Sequence, residues 1–68
     1  MNKEIAIGRL YTEMYKECKR LLDEVGYVPE MHEVVLNSKK LKEIIKGGDI
    51  GSFHIEEAYE SALEDLDE

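Results

Sequence analysis

Six residues, Ile7, Tyr11, Met14, Cys18, Leu21 and Val25, recur at alternating spacings of four and three. That rhythm keeps one apolar stripe on one side of an α-helix, whereas a strand would need a period of two. Leu10, Tyr15 and Leu22 widen the stripe on its flanks, and a stripe this broad suits a helical bundle better than a two-stranded coil. Asn2 can cap the start, and Glu4 is favourable against the positive end of the helix dipole. Gly26 suits the left-handed position just past the end. The spacing predicts a helix from about Asn2 to Val25.

The segment "GYVPE" then reads as a turn, because Pro29 holds Val28 extended and is itself preset for a first helical turn. A second helix is expected from about Pro29 to Lys46, with Met31, Val34 or Val35, Ser38, Leu41 and Ile45 on its seam. Ser38 interrupts this otherwise apolar line and is expected to bond back to the carbonyl four residues earlier. Gly47 and Gly48 are expected to end that helix and to open a flexible glycine-rich connection over 47–52, with Asp49 as a turn former. Ser52 is a candidate cap for a third helix of about Phe53 to Leu66. Ile55, Tyr59, Ala62 and Leu66 form its apolar stripe, and Glu57, Glu60, Glu64 and Asp67 its opposite face. The fold expected is a single all-α domain over residues 1–68. It consists of an antiparallel helical hairpin (about 2–25 and 29–46) plus a third amphipathic helix (about 53–66).

A chain of 68 residues buries a modest fraction of its surface, so its stability margin is thin. Its one cysteine cannot form an internal disulfide, and His32 and His54 have no partner at zinc-ligand spacing. Packed helices, self-association into a homo-oligomer and folding on a partner are the supports that remain. The chain is 43% hydrophobic and 37% charged, too apolar for disorder throughout. No apolar run approaches a membrane span, and "MNKEIAIGRL" does not read as a secretory signal. A cytoplasmic protein with no membrane association is expected. Lysine and isoleucine usage point to a bacterial or phage source.

Charge is unevenly placed. Residues 1–46 carry eight acids and nine bases, and residues 47–68 carry eight acids and no base, so the net charge of -7 belongs to the last third. Lys39, Lys40, Lys42 and Lys46 gather just before the glycines, and a hinge there could fold them against the acidic helix. No arginine or aromatic interleaves with these lysines as a stacking groove would require, which argues against direct nucleic-acid binding. The carboxylates of Glu57, Glu60, Glu64 and Asp67 could instead imitate a phosphate backbone in the basic groove of a DNA- or RNA-acting enzyme.

Signs of catalysis are thin. "KGGDIGS" lacks both the G-x-x-x-x-G-K-[ST] spacing and the preceding strand of a phosphate loop. Cys18 sits on an apolar seam with nothing to lower its pKa, and reads as a small buried hydrophobe. His32, close to Glu30 and Glu33, and His54, in the first turn of the third helix, read as surface or cap residues. Neither has the E-x-x-H spacing of a di-iron bundle. No catalytic residue, metal ligand or cofactor is expected.

"VVLNSKKLKEII" resembles the S-Q-E-L-D segment of the small sporulation-regulatory aspartyl-phosphate phosphatases, the Spo-zero-E-like family, with Ser38 and Leu41 matching the motif. The resemblance extends to "RLYTEMY" and Gly26 and covers about residues 5–46. It implies an antiparallel helical hairpin acting on a response regulator. Lys39 and Lys40 replace the motif's Gln and Glu, and its acidic residue falls at Lys42, so the resemblance implies binding without hydrolysis.

The residues together favour a small non-enzymatic regulatory or inhibitory protein that binds another protein through amphipathic helices. Lys39, Lys40, Lys42 and Lys46 are the candidate partner-binding residues. The acidic mimic, carried by the third helix, is the alternative, and a response-regulator phosphatase-like protein the third reading.

Overall fold

The computed structural model describes residues 2–67, which form four α-helices and no strand. Helix α1 spans Lys3–Val25. The Asn2 side chain accepts a hydrogen bond from the Glu4 backbone N–H at 2.8 Å, satisfying one of the donors a helix start leaves open. At the other end Gly26 takes a left-handed φ of 86° and returns its N–H to the Leu22 carbonyl at 3.0 Å. The fully covered line of α1 is Ala6, Leu10, Met14, Cys18 and Leu21. It coincides with the expected stripe at Met14, Cys18 and Leu21 and departs from it toward the ends, where Ile7 and Tyr11 are half-buried and Val25 is exposed. The cause is tertiary. The three helices that follow all pack on α1, and near its start the small Ala6 permits a closer approach of the middle one than Ile7 would.

The expected second helix is two helices. Helix α2 spans Met31–Leu36 and α3 spans Lys39–Gly48. Ser38 stands between them in extended geometry (φ -121°, ψ 109°), with its hydroxyl accepting the Leu41 backbone N–H at 3.1 Å. The back-bond expected of Ser38 is therefore corrected: the residue is the N-cap of α3. Its short hydroxyl competes for local backbone donors and stabilises a restart rather than a continuation. Asn37 closes α2, its side-chain amide donating to the Glu33 carbonyl at 2.7 Å. The break re-phases the helix, so that Ile44 is covered more fully than the expected Ile45.

Gly47 and Gly48 lie inside the last turn of α3, not beyond it, and Asp49 supplies the left-handed cap at φ 51°. Asp49 can do so because a short polar side chain tolerates that region better than most. A methyl group added at Gly48 would stand 2.5 Å from the Ala6 methyl, so these two residues mark a close crossing of α1 and α3. Because Ala6 begins α1 and Gly48 ends α3, α3 runs back along α1. Helix α4 spans Ser52–Leu66. Its N-cap is Gly51, without a side-chain bond, and Ser52 is already helical, which corrects the expected cap. Ala58 and Ala62 are buried, with Ile55, Tyr59 and Leu66 packed beside them. The α1–α4 interface is the most extensive in the molecule, followed by α1–α3. No helix among the described residues is long and apolar enough to cross a membrane.

Candidate docking surface

All four lysines singled out in the sequence are exposed along α3. Lys39 and Lys40 open the helix, where the positive dipole end disfavours them, and Lys46 closes it, where the sign is right. The Lys42 ammonium donates to the Leu36 carbonyl at 3.2 Å and so ties α3 to the end of α2. Glu57, Glu60, Glu64 and Asp67 are likewise exposed. Among the described residues no ion pair joins these two groups. The ion pairs seen lie along α1, where Lys16 meets Glu13 and Lys19 meets Asp23, both at 3.8 Å, and Arg20 bridges Glu17 and Glu24.

What the fold does assemble is a seam along one side of α4. At its start, Ser52 and Ile55 face Met31, His32, Val35 and Leu36 of α2 across an almost wholly apolar groove of about 290 Å³. Midway, the Tyr59 hydroxyl donates to the Pro29 carbonyl at 2.6 Å. At its end, Leu63 and Leu66, with Glu64 and Asp67 on the rim, face Leu22 and Val28 across a second depression of about 430 Å³. The order of these meetings shows that α4 runs antiparallel to the segment 22–36. Leu36 and Phe53 are respectively 68% and 65% exposed at the first end, and Phe53 stands edge-on to the His54 ring at 5.6 Å. Val25 at the end of α1 and Tyr27 in the turn that leads to Val28 are exposed as well.

The sequence pattern assigned Met31, Val35 and Ile55 to seams facing a core. In the fold Val35 and Ile55 pack against the core, and with the half-buried Met31 they also line the first groove. Leu36 and Leu63 carried no periodic signal, and only the packing of α4 brings them into the surface.

Cys18, Arg20 and Tyr59 depart from their ordinary titration. Burial pushes the Cys18 thiol up to about 11, with Glu17 adding to the effect, so the side chain stays protonated at neutral pH. Burial also raises the Tyr59 phenol, with smaller contributions from Cys18 and Glu30. Arg20 is held charged by its hydrogen bonds to Glu17 and Glu24. Among the described residues no group of three or more His, Cys, Asp or Glu side chains is placed to hold a metal ion.

No family model, curated protein or solved structure matches the chain. The Ser38–Leu41 pair that carries the phosphatase resemblance has a local structural cause: a capping serine and, three residues on, a buried leucine whose N–H it accepts.

Proposed function

We propose that this chain is a non-enzymatic regulatory or inhibitory module that acts by binding another protein on the seam between α4 and the segment 22–36. One observation carries the reading: the groove of Met31, Val35, Leu36 and Ile55 is open and apolar, and Leu36 within it is largely unburied, in a protein too small to leave such surface idle without cost. Protonated Cys18 and Tyr59 offer no ready nucleophile, which supports a binding role.

The reading is tested by capture from a lysate of the source cell with wild-type and Leu36→Glu baits, both shown to be helical by circular dichroism. A protein retained by the first and lost from the second is expected. Equal retention by both baits removes the groove from the account.

A second reading, the acidic mimic, is favoured by the outward row of Glu57, Glu60 and Glu64, which is exposed and enters no ion pair among the described residues. It requires binding to a nucleic-acid enzyme that collapses with salt and ignores Leu36.

A further inference from the structure

The seam has a charge as well as a shape. Its two walls, residues 22–36 and 52–67, contain ten carboxylates and neither a lysine nor an arginine. At 100° per residue, Glu56, Glu60 and Asp67 follow the same edge of α4 as Ser52 and Leu63, so they border the apolar track along its outer side. These three and Glu64 are exposed, and Glu64 and Asp67 line the second depression directly. Lys42, near the first groove, has its ammonium turned onto the Leu36 carbonyl.

Eleven positions separate Ser52 from Leu63, and Ile55 from Leu66, which places the two depressions about 16 Å apart, or about three helical turns. The hydroxyl bond of Tyr59 to Pro29 lies between them along the chain. An extended strand would find no unpaired sheet edge here, because both walls are helical or turn. A second copy pressing the same seam against itself would set carboxylate against carboxylate.

We infer that the seam takes a cationic amphipathic helix, which seats apolar side chains about three turns apart in the two depressions and lays lysine or arginine along Glu56, Glu60, Glu64 and Asp67. This inference rests on the reading of the chain as a protein-binding module and names the partner's chemistry. The apolar anchors supply the affinity, and the carboxylate rim sets the on-rate and the direction of the bound helix.

The probe is a fluorescein-labelled synthetic helix of leucine and lysine, with leucines on one face at i, i+4, i+7 and i+11. A scrambled peptide of equal charge is the control. Anisotropy measured in about 50 and 300 mM salt gives affinity, and backbone chemical shifts map the site. We expect shifts confined to residues 22–36 and 52–67, and binding about tenfold or more weaker for the scrambled peptide. Leu36→Ser should weaken the complex several-fold at both salt concentrations. Glu60→Lys with Glu64→Lys should weaken it mainly at the lower one.

Equal binding of both peptides, shifts on the Lys39–Lys46 face, or a concentration-dependent dimer that excludes the peptide would each overturn the inference. Its failure is distinguishable from failure of the broader reading. A cellular partner lost on Leu36→Glu but indifferent to Glu60→Lys with Glu64→Lys keeps the binding module and eliminates the cationic helix.

Discussion

Tyr59 donates its hydroxyl hydrogen bond to the carbonyl of Pro29, 30 residues earlier in the chain, at 2.6 Å. The bond joins the middle of α4 to the turn between α1 and α2, and it divides the seam into its two depressions. Replacing Tyr59 by Phe keeps the ring and deletes the donor. A loss of about 0.5–1.5 kcal/mol is expected in urea unfolding, together with faster hydrogen exchange across α4. Unchanged stability and protection would mean that water replaces the phenol and that apolar packing alone holds the helix.

Adjacent glycines at the end of α3 should respond oppositely to one added methyl group. Gly47 has open space around it and helical geometry, so Gly47→Ala should stabilise by about 0.5–1 kcal/mol. Gly48→Ala meets the Ala6 methyl at 2.5 Å and should destabilise by about 1–3 kcal/mol. Adding Ala6→Gly to Gly48→Ala should recover part of the loss, and thermal melts of the four proteins form the cycle that measures it.

Ser38 predicts a third contrast. Ser38→Ala removes the only side-chain cap of α3 and should cost about 1 kcal/mol. Lys39→Glu, in the same turn, exchanges an unfavourable charge for a favourable one and should stabilise by about 0.3–1 kcal/mol at low salt. Guanidinium midpoints would show both. A destabilising Lys39→Glu would mean that Lys39 has a partner that outweighs the dipole.

Alkali should weaken the fold through Cys18. An unfolded thiol ionises near 9.0 and the folded Cys18 at about 11. Between those values the unfolded chain releases a proton that the native chain retains. Stability is thus complete below pH 9 and falls as pH rises through the window, by roughly 2–3 kcal/mol at its upper end. The raised phenol of Tyr59 acts in the same direction. Cys18→Ala should flatten the slope between pH 9 and 11, and an unchanged slope would assign it to other groups.

Much of this architecture is legible in the sequence. The spacing of α1, its Asn2 cap and its Gly26 terminator all appear in the fold, and so does the amphipathic α4. The break at Ser38 was hidden because Val34, Ser38 and Leu41 keep a perfect four-and-three spacing across it, and periodicity cannot distinguish a capping serine from an embedded one. The telling signal was the asparagine–serine pair, two residues that each prefer helix ends. Lys39, Lys40, Lys42 and Lys46 and the carboxylates of Glu57, Glu60, Glu64 and Asp67 are exposed in the fold. The groove carries no signal in the spacing, because Met31 and Ile55 read there as core positions and only the packed fold shows that they also line an open depression.

The antiparallel pairing of 22–36 with 52–67 also sets an order of events. Each wall of the seam is separated from the other by the whole of α3, so neither depression can exist while α1, α2 and α3 alone are folded. Leu36 and Ser52 close a loop of 16 residues and Leu22 and Leu66 one of 44, so the first depression has the lower closure cost. Recognition is thereby conditional on completion: a chain caught partway, or one whose α4 has lifted, presents no binding surface in miniature but two unrelated halves of one.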